Sequence, residues 1–259
     1  MSTTQTLADL AAAVAASDIR VIDLTQTLSE DTPLLVLPEP FGQTAPFSRE
    51  EISRYDDRGV AWHWNNFTVG EHTGTHFDAP VHWVTGKDLP DNTVDRVPPK
   101  NLVAPAVVLD FSAECAKDGD FLLTAEGIKS WESRHGAIPA GVWVLFRTDW
   151  SKRDVDAYTN RREDGAHTPG PDASAIEYLI ERDVLGFGVE TIGTDAGQAH
   201  LLTPPYPAHT LLHGAGKYGL QCLENLDQLP ATGAVIVAAP LKIRDGSGSP
   251  LRVLALVAG

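Results

Sequence analysis

Four side chains able to bind a metal ion lie close together in the stretch HTGTHFDAPVH at 72–82. They are His72, His76, Asp78 and His82, and they occur at even spacings. Neutral imidazoles together with a carboxylate suit Zn²⁺, Mn²⁺ or Fe²⁺ and leave coordination positions for water and substrate. The stretch therefore predicts a metal centre in preference to the polar edge of a sheet.

The spacing of these residues indicates which of them share an ion. A helix is disfavoured, because an intervening glycine and proline interrupt it. In extended backbone His76 and Asp78 lie about 6.6 Å apart and can share an ion, whereas His72 and His76 lie about 13 Å apart and cannot. We therefore expect a turn at Gly74 to fold His72 back beside the other two ligands. His82, which follows a second turn, is then left for chemistry.

The same stretch resembles the H-x-G-T-H-x-D-x-P-x-H signature of the cyclase superfamily of metal-dependent hydrolases. Further similarity covers most of the chain, at DLTQTLSEDTPL (23–34), VETIGTDAGQ (189–198), PAHTLLH (207–213), ENLDQLP (224–230) and APLKIRDGSGSPLRVLAL (239–256). Within the superfamily, TGKDLPDN (85–92) and TDAGQ (194–198) are most similar to the isatin-hydrolysing branch. The resemblance implies an amide hydrolase of the α/β class, commonly dimeric, on a swivelling β/β/α fold with a mixed β-sheet and flanking helices.

The resemblance also implies roles for individual residues. The three ligands would bind the primary metal, and His82 and His209 would be the catalytic histidines. In members with two metals, the second site takes a bridging aspartate, a histidine and a glutamate, at positions that match Asp78, His209 and Glu224. The interval between His209 and Glu224 is longer here than in the short formamidases, so one ion is favoured. Mn²⁺ is expected first and Zn²⁺ next, with no organic cofactor.

Aromatic residues flank the metal motif. Trp62 and Trp64 share one face of a predicted strand just before it, and Trp83 follows it directly. Such residues either pack in a core or interface, or form a wall for a flat aromatic substrate. We expect the second role for all three, and we expect Gln198 in TDAGQ to reach the substrate.

The predicted reaction is hydrolysis of a cyclic amide by metal-activated water, and the resemblance implies that isatin, converted to isatinate, is the preferred substrate. The substrate would be a small, neutral, aromatic molecule. N-formylkynurenine, a linear aryl formamide, is the nearest alternative. A non-haem Fe(II) oxygenase is a second alternative, because His76, Asp78 and His209 mimic a two-histidine, one-carboxylate triad. A metal-binding protein without catalytic activity is a third.

The composition narrows the choice of partners. The chain of 259 residues carries a net charge of -15, from 20 basic and 35 acidic residues, so nucleic acid and anionic membranes are disfavoured. Cys115 and Cys222 lie far apart without a C-x-x-C pair, which favours a reducing, cytoplasmic location. No apolar run reaches the roughly 18 residues of a membrane span. His135 and His167 are expected to be exposed to solvent.

Short apolar runs predict strands at 19–24, 34–37, 65–69, 106–110, 142–147, 184–190, 234–243 and 251–257. The last two runs are expected to pair as a hairpin across 244–249. Helices are predicted at 125–135 and 172–183, and a surface helix at 1–18. The absence of a linker, repeat or composition break favours one domain over 1–259. GAGKYG at 214–219 is expected to be a turn after a helix, since the segment before it is not a strand.

Overall fold

The computed structural model describes residues 3–259, in which short strands alternate with short helices. The strands are β1 (Ile19–Asp23), β2 (Ser48–Asp56), β3 (Gly59–Thr68), β4 (His76–Asp78), β5 (Val103–Asp110), β6 (Leu122–Leu123), β7 (Trp143–Arg147), β8 (Arg161–Arg162), β9 (Gly165–Ala166), β10 (Gly170–Pro171), β11 (Gly186–Val189), β12 (Tyr218–Gln221), β13 (Ala234–Ala238), β14 (Gly248–Pro250) and β15 (Val253–Ala258). The α-helices are α1 (Thr3–Ala15), α2 (Ser112–Cys115), α3 (Ala125–His135), α4 (Val155–Tyr158) and α5 (Ala173–Glu181). Single turns of 3₁₀-helix include Pro80–His82, and a π-helix spans Ala208–His213.

Nine strands form one mixed sheet in the order β1-β15-β13-β5-β7-β11-β12-β4-β14. β5, β7, β11 and β12 run parallel in its centre. Antiparallel strands extend the sheet on both sides. β2 and β3 form a separate antiparallel hairpin. The predicted α/β class with a mixed sheet is therefore confirmed.

The central strands bury both of their faces. In β7, Trp143 and Leu145 contribute to one core cluster, and Val144 and Phe146 contribute to the other. This alternation follows from the two-residue period of a strand. α3 and α5 pack against the second cluster, in which Ile176 is fully buried. Burial on both faces explains why these strands are continuous apolar runs in the sequence.

Side chains cap the start of both long internal helices, which occur where helices are predicted. The Thr124 hydroxyl accepts a hydrogen bond from the Gly127 N–H at the start of α3, and Gly136, with φ 90°, ends the helix. At the start of α5, the Asp172 carboxylate accepts from the Ala175 N–H. Each cap satisfies an N–H group that the helix itself leaves unpaired.

The predicted strand at 34–37 is wrong. No strand forms there, and Leu35, Val36 and Leu37 are exposed to solvent. Pro33 and Pro38 bracket the run, and a proline lacks the N–H that a strand ladder requires. An apolar run of four residues therefore becomes a surface loop.

The expected hairpin at the end of the chain is only partly correct. β13 and β15 do pair antiparallel, with Ile236 opposite Ala255. The segment between them is more than a turn, because it contains β14, which leaves this pair and joins β4 at the other edge of the sheet. The end of the chain thereby reaches the metal motif.

The N-terminal helix α1 lies within the predicted range 1–18, and none of its residues is buried. Residues 1 and 2 of that prediction lie outside the described part of the chain. Among the helices of residues 3–259, none is both long and apolar enough to cross a bilayer. The assignment of 1–259 to one domain stays a prediction.

Candidate metal centre and active site

The metal motif is built on β4, a three-residue strand held between β12 and β14. Asp78 lies opposite Gly219 on one side and opposite Gly248 on the other. A Cβ atom at Gly219 would lie 2.9 Å from Asp78 Oδ2, and one at Gly248 would lie 2.5 Å from His72 Cε1. Glycine on both neighbouring strands therefore leaves the space that these two side chains occupy.

Gly74 makes the turn that precedes this strand. Its φ of 64° lies in the left-handed region, where glycine is strongly preferred. The turn brings His72 Nδ1 to 2.8 Å from Asp78 Oδ1. The prediction that a turn at Gly74 folds His72 back beside Asp78 is confirmed.

The orientation of His72 is set by a relay that ends on a carboxylate. The Ser247 hydroxyl donates to Glu71 Oε2 at 2.6 Å, because a carboxylate only accepts. The same hydroxyl oxygen lies 2.9 Å from His72 Nε2 and therefore accepts from the Nε2–H. Nδ1, which lies next to Asp78 Oδ1, is then the His72 nitrogen that a metal ion would bind. Such outer hydrogen bonds are typical of metal-binding histidines.

His76 presents a second lone pair to the same carboxylate. Its Nδ1–H donates to the Gly74 carbonyl at 2.7 Å, which leaves Nε2 unprotonated. This Nε2 atom is buried, has no hydrogen-bond partner among the described residues, and lies 3.4 Å from Asp78 Oδ1. Two imidazole nitrogens and a carboxylate oxygen thus converge, and His76 Nε2 is left without a hydrogen-bond partner among the described residues. The residues fit a divalent cation.

Gln221 fixes the other oxygen of Asp78. Its side-chain N–H donates to Asp78 Oδ2 at 2.5 Å, and its Oε1 accepts from the Gly193 N–H at 2.7 Å. The carboxylate is fully buried. Burial alone would raise the pKa of Asp78, but His76 and His72 overcome this effect and hold the pKa well below its usual range. Asp78 is therefore an anion with a fixed orientation.

A group of imidazole rings lies next to the proposed ligands. The His82 ring stacks on His72 with 3.8 Å between ring centroids. It lies 5.5 Å from the His209 ring and 6.1 Å from the His213 ring. Two sets of residues could each hold a metal ion, because the ligand atoms within each set lie within 4.8 Å of one another. The first set is His72, Asp78 and His82, and the second is Asp78, His209 and His213. The fold thus brings His209, from the far end of the chain, beside the metal motif.

These histidines differ in their affinity for a proton. Burial lowers the pKa of His82 to about 3, although the charge of Asp78 opposes this effect. Burial also lowers the pKa of His213 to about 4, and the nearby His209 adds to the decrease. For His209, burial lowers the pKa, but the hydrogen bond and charge of Asp195 outweigh it and raise the pKa overall. His82 and His213 are therefore uncharged near neutral pH, and His209 is the ring that holds a proton most readily.

The predicted aromatic residues divide between two places. Trp83 lies beside the cluster, 4.8 Å from the His209 ring and 5.7 Å from the Tyr206 ring. Trp62 and Trp64 lie on β3 in the separate hairpin, are about half exposed, and make no ring contact with the cluster in the described chain. Within a single chain, they do not contribute to a substrate wall.

Gln198 and Glu224 contact protein groups outside the imidazole cluster. Gln198 donates to the Ala166 carbonyl at 2.9 Å and lies 3.4 Å from His167 Nε2. The Glu224 carboxylate accepts a hydrogen bond from the Asn225 side chain at 3.4 Å, and the backbone N–H of Glu224 donates to the Leu24 carbonyl. His213, not Glu224, completes a trio with Asp78 and His209.

Several residues that complete the site come from distant parts of the chain and were not predicted. His213 lies in PAHTLLH and Asp195 lies in TDAGQ, two motifs that were already identified in the sequence. Neither motif shows which of its polar residues points inward. Gln221 and Ser247 contact the motif across about 145 and 175 residues of chain. His167 is also nearly buried, between Asp120 and Asp164, so its predicted exposure is wrong.

The fold and this cluster of imidazoles with a buried carboxylate are those of a metal-dependent hydrolase of the cyclase class. A family model described as "Putative cyclase" matches residues 22–196. The chain belongs to the cyclase family. It is 50% identical, over 99% of both chains, to isatin hydrolase of Roseibium aggregatum. It is also similar to the solved structure of isatin hydrolase A from Labrenzia aggregata bound to benzyl benzoate, at 60% identity and a TM-score of 0.97, over 98% of this chain and 100% of that chain. An isatin hydrolase bound to the product analogue thioisatinate matches at 50% identity and a TM-score of 0.98, over 100% of both chains.

Proposed function

We propose that this protein is a metal-dependent hydrolase that opens the five-membered cyclic amide of isatin to give isatinate. The observation that carries the proposal is the convergence of His72 Nδ1 and the unpartnered His76 Nε2 on Asp78 Oδ1. The full-length similarity to isatin hydrolases supports the choice of substrate.

The proposed cofactor is one divalent ion held by His72, His76 and Asp78, with Mn²⁺ favoured over Zn²⁺. Such an ion polarises a carbonyl group and lowers the pKa of bound water from about 15.7 towards about 7. A second ion on Asp78, His209 and Glu224 is not proposed, because among the described residues it is His213, and not Glu224, whose ligand atom lies within 4.8 Å of those of Asp78 and His209. No organic cofactor is required for hydrolysis.

The chain's own residues would move the protons. The reaction forms a C–O bond from water to the amide carbon and breaks the bond from that carbon to the ring nitrogen. His82 lies beside the proposed ligands, with its ring centroid 3.8 Å from that of His72, so it would take up the proton that the attacking water loses. His209 holds a proton more readily, so it donates one to the departing nitrogen. The single product is isatinate, in which the released nitrogen is an aniline and the former amide carbon is a carboxylate.

The substrate proposal also accounts for the surroundings of the site. Trp83 and Tyr206 lie edge to face next to His209, and an aromatic ring can pack against them. Burial lowers the pKa values of His82 and His213 to about 3 and about 4, so both rings are uncharged near neutral pH, which suits a small neutral substrate. The solved relatives carry benzyl benzoate and thioisatinate, both of which are aromatic.

The proposal includes a homodimer in the cytoplasm. The hairpin of β2 and β3 packs on itself and exposes Tyr55, Val60, Trp62, Trp64 and Phe67. A two-stranded hairpin is marginally stable alone, and an apolar patch of this kind is typical of an interface. Contact with a second copy would bury these side chains. The same contact would bring Trp62 and Trp64 next to a substrate site, which they do not reach within one chain.

A comparison of two substrates tests the reaction. Protein loaded with Mn²⁺ is mixed with isatin, and in parallel with N-formylkynurenine, and loss of each is followed by its absorbance. We expect kcat/KM for isatin to exceed that for the formamide by at least about tenfold. A preference for the formamide would make the protein an arylformamidase that uses the same residues.

The oxygenase and the non-catalytic metal-binding protein are distinguished from the hydrolase by whether dioxygen or either substrate is consumed. A non-haem Fe(II) oxygenase requires dioxygen, whereas hydrolysis proceeds at the same rate without it. A metal-binding protein without catalytic activity turns over neither substrate. Anaerobic assays of the same preparation separate all three.

A further inference from the structure

Asp195 is a buried carboxylate whose hydrogen bonds all lead to the segment that carries His209. Asp195 Oδ1 accepts from the Ala208 N–H at 2.7 Å, and Oδ2 accepts from the His209 N–H at 3.1 Å. Oδ2 also lies 2.5 Å from His209 Nδ1. The side chain of Asp195 is only 5% exposed, so water does not compete for these bonds. The carboxylate therefore holds both the backbone and the ring of His209.

These contacts fix which ring nitrogen of His209 is free. A carboxylate only accepts hydrogen bonds, so Nδ1 carries the hydrogen that Asp195 binds. Nε2 is then the nitrogen left to face the rest of the cluster, where Asp78 and His213 provide the neighbouring polar atoms. His213 presents its own Nε2 in the same way, because its Nδ1–H donates to the Lys217 carbonyl at 3.0 Å.

Asp195 is itself anchored to the metal motif. It lies in the loop after β11, and the Gly193 N–H at the start of this loop donates to Gln221. The other end of the Gln221 side chain donates to Asp78. On the far side of Asp195, the Gly197 N–H donates to Thr168 at 2.9 Å. The loop is thus fixed on both sides of Asp195, and one side chain joins it to a proposed metal ligand.

We propose that Asp195 is a positioning residue for the hydrolysis, which holds His209 in the Nδ1–H tautomer so that Nε2 exchanges the proton with the ring nitrogen of the substrate. This inference rests on the proposed function, and it adds a residue that acts on the substrate through His209. The same logic, a buried aspartate that fixes the tautomer of a catalytic histidine, operates in serine proteases.

The test variant is Asp195→Asn, which keeps the size of the side chain. Its amide oxygen can still accept from a backbone N–H, but its NH₂ group next to Nδ1 favours the opposite tautomer. We expect kcat to fall by about 10² to 10⁴-fold, as expected for a wrong tautomer, with KM within about threefold and the bound metal unchanged. Asp164→Asn is the matched control, because Asp164 makes the same kind of bond to His167 from an exposed position outside the site.

A double-mutant cycle distinguishes action of Asp195 through His209 from a purely structural role of its carboxylate. If Asp195 acts through His209, Asp195→Asn changes turnover by less than about twofold in a His209→Ala background. A full loss in that background, or loss of the metal, would overturn the proposal. The cycle therefore reports on the coupling and not on the stability of the loop.

Imidazole NMR of the Zn²⁺-loaded wild-type protein provides a readout that does not depend on the folding of the Asp195→Asn variant. We expect long-range ¹H–¹⁵N spectra to show His209 protonated at Nδ1, with its signals assigned by their absence in His209→Ala. Protonation at Nε2 alone would contradict the inference. If the wild-type protein shows this tautomer but does not hydrolyse isatin, the proposed function fails while the assignment of the tautomer stands.

Discussion

His76 Nε2 lies 3.4 Å from Asp78 Oδ1, is buried, and has no hydrogen-bond partner in the described chain. An unpaired buried nitrogen costs free energy, because it has lost its hydrogen bonds to water. The relationship between these two residues therefore indicates a cation that both would bind. Removing the groups that orient Asp78 is expected to weaken binding of that cation without abolishing the fold.

Gln221→Ala tests this orientation. The substitution removes the hydrogen bond to Asp78 Oδ2 and frees the carboxylate to rotate. We expect affinity for Mn²⁺ or Zn²⁺ to fall by about 10- to 100-fold, measured by calorimetric titration of the apoprotein. Gln228→Ala, at an exposed glutamine, is the control and should bind the ion as the wild type does. Unchanged affinity in Gln221→Ala would mean that Asp78 is held by other contacts.

His82→Gln separates catalysis from metal binding. We expect the variant to retain its metal and to lose about 10²- to 10⁴-fold in kcat, because it lacks a group that can take up a proton. Metal content by mass spectrometry and turnover of isatin are measured on the same sample. His135→Gln, at an exposed histidine, is the control. Loss of the metal together with activity would instead make His82 a ligand, as its closeness to His72 and Asp78 allows.

His167 is expected to make stability depend on pH. Its hydrogen bonds to Asp164 and Asp120 raise its pKa above the ordinary value of about 6.5. A raised pKa in the folded state stabilises the protein below about pH 6.5, and this stabilisation is lost as the pH rises through the folded-state pKa. The difference in Tm between wild type and His167→Gln should therefore be largest near pH 5.5 and shrink towards about pH 9. A difference that grows with pH would refute the assignment.

Trp64→Lys is expected to disrupt the proposed dimer. Trp64 is 53% exposed on the hairpin, and a lysine there would place a charge in the interface. Light scattering after size exclusion should give twice 27.9 kDa for the wild type and a single 27.9 kDa chain for the variant. Val155→Lys, at an exposed apolar residue outside the hairpin, should remain dimeric. A monomeric wild type would remove the basis for this prediction.

Local rules predicted much of the fold. Thr124, Gly136 and Asp172 are capping residues, and the helices they bound occur where expected. Central strands were recognisable because burial on both faces requires continuous apolar runs. The segment 34–37 has the same composition, but two prolines and the lack of a pairing partner leave it as a loop. Pairing between distant strands is not encoded in a local pattern.

The site was predictable only where its residues are close in sequence. The turn at Gly74 follows from the reach of an extended chain, and it places His72 beside Asp78 as expected. Asp195 and Gln221 were not identified, because their contacts depend on how β11 and β12 place the loops that follow them. Gln198 was chosen from the same motif as Asp195, yet it points to His167.

Titration of the metal-free protein with Mn²⁺ in the presence of isatin shows whether turnover depends on one bound ion per chain. The apoprotein should be inactive, and the rate of isatin loss should rise with added ion and level off at about one ion per chain, in keeping with a single site of two imidazoles and one carboxylate. The Asp78→Asn protein should remain inactive at every ion concentration. Turnover by the apoprotein, or no turnover with Mn²⁺ or with Zn²⁺, would contradict the account.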